Sequence, residues 1–181
     1  MLTTKTYHPR NLSLMKGRKI WETADIPNAF MVRGDIVRKN KIFFREKFGI
    51  MYEESDFAYR IKNLGYKIVV VKNAKIYHDI EKKENDGSVK NYMYHFMEDK
   101  RRPYVFARNR IIFHSLYSNK FQFIFIILFC VWFFAAYYMY KIIFYSGIGN
   151  FSVFNRIKLV FAYLRGTFKG LSFVFNNEKL Y

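Results

Sequence analysis

At 181 residues the chain has room for one modest domain and something more. Its 21 phenylalanines and 15 tyrosines exceed what a soluble core of that size uses, and its formal charge of +17 comes without zinc-finger spacing or an aromatic RNA-binding motif, so nucleic acid is not an expected partner. The one cysteine, Cys130, leaves no disulfide framework and no thiolate metal site within this chain.

In chain order, residues 1–25 hold no long apolar run after a basic start, and no cleavable signal is expected there. Pro27 biases Ile26 toward extended backbone, and the run to Arg33 reads as a strand. Phe57, Ile61 and Leu64 recur at helical spacing and predict a helix with one inward face. Ser55 or Asp56 is its expected N-cap, which places Glu53 and Glu54 at the positive end of the helix dipole, where carboxylates stay ionised. Asp56 and Arg60, four residues apart, are spaced to pair. Gly65 ends the helix at a left-handed position. Tyr66 to Val71 then predicts a strand whose continuous apolar run calls for burial on both sides, bounded by the turn residues Lys72 and Asn73. A further extended stretch leads to His78, and the polar stretch from Glu81 to Lys90 reads as an exposed loop.

Basic residues cluster from Lys100 to Lys120, just before Phe121–Tyr140, a stretch with no charge and the length of a transmembrane helix. Such a cluster fits the positive-inside pattern and attraction to anionic lipid or a lipid-linked phosphate. Residues 148–181 form a basic amphipathic tail, with Lys158, Arg165 and Lys169 on one helical face and Leu159, Phe161, Leu164 and Phe168 supplying apolar bulk. It reads either as a helix lying in the membrane interface or as a second helix packed on the first within the membrane or a frayed terminus.

The order of Glu53-Glu54-Ser55-Asp56, Arg60, Gly65-Tyr66, the strand Lys67–Val71 and Ala74 to His78 resembles the C-terminal half of the catalytic domain of family-2 glycosyltransferases. Ile26 to Arg33 looks like the family strand before the acceptor-side loop, and Tyr104, Arg108 and Asn109 resemble the segment leading to the membrane. The resemblance covers about residues 15–175. It implies an α/β fold: a partial GT-A (nucleotide-diphospho-sugar transferase-like) unit over 1–118, a transmembrane helix over 119–147 and the tail over 148–181. It also implies a catalytic part facing the cytoplasm.

The implied reaction moves a sugar from a nucleotide-sugar donor to a lipid-linked or envelope glycan acceptor, with Mg²⁺ or Mn²⁺ neutralising the leaving diphosphate. Glu54 stands at the family's base position, where Asp is usual, with Glu53 tuning its charge and Asp56 completing the acidic cluster. The residue-level alternative is that these acids are a solvated helix start. Asn28, Ala29 and Arg60 are implied at the sugar pocket. Arg108 and Asn109 are implied on diphosphate or lipid phosphate, or else they anchor the helix to headgroups. His78 is implied as a contact to the metal or the diphosphate, against a structural role at a strand end. The family's nucleotide-binding half and its Asp-x-Asp motif have no counterpart here, so a truncated or split product, or a separate chain supplying that half, is expected. The alternative from another class is a non-catalytic membrane scaffold or assembly partner.

Overall fold

The computed structural model describes residues 19–23, 25–26, 30–74, 93, 96–144, 151–176 and 178. Helices dominate these residues. The chain divides into two units, one formed by Met1–Glu46 and Glu53–Glu81, the other by Lys47–Tyr52 and Lys82–Tyr181.

In the first unit, strand β1 (Ile20–Thr23) pairs antiparallel with β2 (Ile68–Val71), with Ile20 opposite Val71 and Thr23 opposite Ile68. Helix α1 (Gly34–Asn40) and helix α2 (Glu53–Asn63) complete it. The inward face of α2 forms as the spacing predicts at Phe57 and Ile61, which share a cluster with Ile42. Leu64 departs from that expectation: the helix stops at Asn63, and Leu64 is 47% exposed. Gly65 then takes φ +87°, and its N–H donates to the Lys62 carbonyl at 2.9 Å, the stop that glycine makes cheap.

Among the described residues the expected α/β architecture is reduced to that two-stranded sheet. β2 is not buried on both sides: Val69 and Val71 are 46% and 42% exposed. A strand with one antiparallel neighbour has no second layer to cover both faces, and apolar composition alone does not reveal how many partners a strand will have. Ile26 and Phe30 to Arg33 do not form the expected strand either; Met31 is almost fully exposed, and Arg33 turns to Asp35 at the start of α1.

The second unit is helical. Helix α3 (Arg101–Tyr117) lies against helix α6 (Val153–Phe175) at a glycine notch. A Cβ on Gly166 would stand 2.1 Å from the Tyr104 carbonyl oxygen, and one on Gly170 would stand 2.9 Å from that of Arg108. Two glycines four residues apart thus let the backbones touch, and the increasing numbers on both helices show that they run parallel. Between them, α4 (Lys120–Phe125), a π-turn (Ile126–Cys130) and α5 (Val131–Phe144) form one continuous apolar helix. The Asn119 side chain caps it by accepting from the Gln122 N–H, while Gln122 accepts from the Asn119 N–H.

This helix, Lys120–Phe144, is 25 residues long with a mean hydropathy of 2.1, long and apolar enough to cross a membrane. Ala135 and Ile142 share a core with Leu159 and Tyr163 of α6. The Arg156 guanidinium donates to the carbonyls of Ile142 and Ile143, both at 2.9 Å, which satisfies the end of α5.

Candidate functional site

Helix α2 begins at Glu53, two residues before the first expected cap, so Ser55 and Asp56 lie inside its first turn. The preceding residues explain the early start: Met51 and Tyr52 take φ +70° and +71°, which turns the chain sharply before Glu53. Glu53, Glu54 and Asp56 all stand in the first turn, where free N–H groups favour anionic side chains.

These three acids have unlike surroundings. Asp56 is fully buried, and each oxygen is bound by a guanidinium: Arg45 Nη1 to Oδ1 and Arg60 Nε to Oδ2, both at 2.9 Å. The i, i+4 pair expected of Asp56 and Arg60 therefore forms, and Arg60 also donates to the Phe43 carbonyl. With both oxygens bound by guanidiniums and no exposed surface, Asp56 orders the approach to α2 and does not face a substrate. Glu54 is half-buried. Glu53 is half-buried with Oε2 sealed from solvent and without a hydrogen-bond partner among the described residues. Burial pushes the Glu53 carboxyl above its ordinary pKa, and the neighbouring Glu54 charge adds to this against a backbone hydrogen bond that lowers it.

Asp25 joins this group unforeseen. Ser55 donates to Asp25 Oδ2 at 2.9 Å, while Oδ1 accepts from the Ile26 N–H. Thirty positions separate the pair, and no local pattern marks it. Burial, followed by the Asp25 charge, raises the Tyr59 pKa.

A cleft of about 630 Å³ opens within the same unit, lined chiefly by apolar side chains such as Phe30, Phe57, Ile61 and Tyr66, with Asp25 and Arg33 among its polar groups. Glu53 and Glu54 do not line it. Asn28, Ala29 and His78 lie outside the described residues. Among the described residues no three His, Cys, Asp or Glu side chains converge where a divalent ion would sit, and no step is assigned to an ion in this chain.

Arg108 and Asn109, read as phosphate contacts or headgroup anchors, form a clasp in the second unit. Asn109 is fully buried, and its Nδ2 donates to the carbonyls of Phe48, Ile50 and Met51 at 2.7, 3.3 and 2.8 Å. Arg108 Nε donates to Asn109 Oδ1 at 2.9 Å, and its Nη2 donates to the Lys47 carbonyl. The amide and the guanidinium thereby hold a loop whose Gly49, Met51 and Tyr52 are all left-handed. For Met51 and Tyr52 that conformation costs on the order of 1–3 kcal/mol each, and the clasp offsets it.

Arg110, the next residue of the same helix, is buried over the rings of Phe106 and Phe134, at 4.2 and 4.3 Å from their centroids, and near that of Tyr138 at 5.3 Å. Its Nε donates to the Tyr52 hydroxyl at 3.3 Å, while Nη1 has no hydrogen-bond partner among the described residues. Burial, aided by the Arg110 charge, pushes the His114 pKa down to about 4.

Neither a protein-family model, nor a curated protein, nor a solved structure matches this chain.

Proposed function

We propose that this chain is the acceptor-side part of a membrane-attached glycosyltransferase of the family-2 kind, working beside a partner that supplies the nucleotide-binding half. The observation that carries the reading is the first turn of α2, where, among the described residues, Glu53 and Glu54 have no guanidinium partner while Asp56 is held by two. In this reading Glu54 is the base: its carboxylate takes the proton of an acceptor hydroxyl as that oxygen attacks the anomeric carbon and the diphosphate leaves. Half-buried Glu53, whose own pKa burial raises, does not readily add a second negative charge beside Glu54, and Asp56 with Arg45 and Arg60 fixes the helix start. Donor and glycan acceptor are nucleotide-sugar and lipid-linked or envelope saccharide by resemblance. The helix Lys120–Phe144 holds the enzyme at the membrane, with the catalytic part on the cytoplasmic side where nucleotide sugars are made.

A second reading is favoured by the clasp: Arg108, Asn109, Asp56 and Arg60 all serve internal bonds, as they would in a non-catalytic scaffold that keeps the acceptor-side frame. One experiment separates the two. In a complex reconstituted with the nucleotide-binding half, Glu54→Gln is expected to lower kcat by roughly 10²–10⁴-fold with donor affinity unchanged, and Glu54→Asp to retain activity. Full turnover by Glu54→Gln removes the base assignment, and no transfer by the wild-type complex supports the scaffold.

A further inference from the structure

Seven apolar residues of α6 follow a strict heptad rhythm: Phe154, Ile157, Phe161, Leu164, Phe168, Leu171 and Phe175. At 100° per residue they form one stripe, opposite the side where Tyr163, Gly166 and Gly170 meet α3. Phe154, Phe161, Phe168 and Phe175 are all more than half exposed. Lys158, Arg165 and Lys169 run along one edge of the stripe; α6 contains no Asp or Glu, and Lys169 pairs with Glu178 just beyond its end. A second copy seated on this seam would bring like charges together along its flank, whereas an anionic lipid surface matches both the apolar stripe and its basic edge.

The same unit limits how its apolar helix sits. Arg110 lies against Phe134 and Tyr138, which places its guanidinium about 20 Å from the Lys120 end and about 10–15 Å from the Phe144 end of a helix rising 1.5 Å per residue. If Lys120–Phe144 stood upright across a bilayer, Arg110 would be near mid-depth. So would Arg108, Asn109 and the irregular backbone of 47–52, which they clasp. That loop continues in both directions into the polar first unit. At the glycine notch α3 and α6 pack backbone to backbone, which places the two helices together. Hydrocarbon does not accept irregular backbone exposed to it, and Lys47, Gly49 and Ile50 of this loop are exposed.

We infer that the second unit is monotopic: α5 and α6 lie along one leaflet with their exposed apolar sides in the acyl boundary, and the helix Lys120–Phe144 does not cross. Phe133 and Phe144 of α5 are exposed like the α6 stripe, on the side away from Ala135 and Ile142, which pack with Leu159 and Tyr163 of α6 and Ala107 of α3. The lipid partner is an anionic phospholipid surface, with Lys158, Arg165 and Lys169 at headgroup level. The inference rests on the membrane attachment proposed above, but not on glycosyl transfer.

Cysteine accessibility in the full chain tests it. With Cys130→Ser as background, Lys120→Cys and Lys141→Cys are each expressed, and sealed inverted membrane vesicles are treated with a membrane-impermeant maleimide. Both are expected to label without permeabilisation; labelling of one only after permeabilisation means that the helix crosses and overturns the inference. In flotation with phosphatidylglycerol and phosphatidylcholine vesicles, Arg165→Glu with Lys169→Glu is expected to weaken binding to the anionic vesicles at least tenfold and leave circular dichroism unchanged. Equal binding to both vesicle types, or a dimer in sedimentation that Phe161→Glu dissociates without loss of vesicle binding, assigns the stripe to another partner and overturns the lipid assignment. Failure of wild-type chain to stay with membranes at all would instead strike at the attachment itself.

Discussion

Each unit buries a charge, and the two are satisfied in different ways. In the first, Asp56 has no exposed surface and is met by two guanidiniums at 2.9 Å, so charge is neutralised by charge. In the second, Arg110 is buried among Phe106, Phe134 and Tyr138 with one tyrosine hydroxyl and, among the described residues, no carboxylate bonded to it. A carboxylate can only accept hydrogen bonds and cannot lie on the negative face of a ring, so its burial requires cationic or N–H partners. A guanidinium is weakly hydrated and lies well on aromatic faces, so an aromatic-rich helical unit can bury one without a counterion.

That contrast predicts unequal costs of removal. Asp56→Ala leaves Arg45 and Arg60 facing one another across a buried site and is expected to destabilise the protein by about 3–5 kcal/mol, read from the shift in denaturation midpoint. A loss below about 1 kcal/mol would mean that the pair is solvated and the comparison fails.

Next in size is a pH effect confined to the second unit. The His114 pKa is depressed from 6.5 to about 4, so between those values the unfolded chain binds the proton that the folded chain refuses. Stability contributed by the neutral ring is fully present above pH 6.5 and declines as pH falls toward 4, by about 3 kcal/mol at most. Denaturation midpoints measured across that window are expected to slope for the wild type and to flatten for His114→Leu; an equal slope in both would place the titration elsewhere.

The smallest effect is expected at Arg110 itself. Arg110→Met keeps an apolar stem among the rings and removes an uncompensated charge, so the lost cation–π attraction and the recovered desolvation oppose each other. A net change within about 1 kcal/mol is expected, against the much larger loss for Asp56→Ala. A loss comparable to that of Asp56→Ala would show that the aromatic cage is an electrostatic partner as strong as a carboxylate.

Local chemistry was legible in the chain where a single element sufficed to express it. The inward positions Phe57 and Ile61, the Asp56–Arg60 pair, the left-handed stop at Gly65 and the long apolar helix before the tail all follow from spacing within one helix or turn. Those signals act over four to seven residues, where helix geometry leaves few alternatives. Residues whose partners are distant in sequence were read less well. Asn109 and Arg108 carry the donors that suit a phosphate, yet their acceptors are main-chain carbonyls some sixty positions upstream. The exposed flank of β2 likewise reflects how many strands meet it, which its own valines do not encode.

By itself, then, the sequence determined a helix with its inward face at Phe57 and Ile61, a left-handed glycine after it at Gly65, and an apolar helix of membrane-crossing length beside a basic tail. Tertiary structure alone decided that Asp56 is consumed by two arginines, that Asn109 holds the loop before Glu53, and that Gly166 and Gly170 bind the arginine-bearing helix to the tail. The physical reason is that a donor, a charge or a missing Cβ specifies what kind of neighbour it needs, while only the packed chain specifies which neighbour arrives.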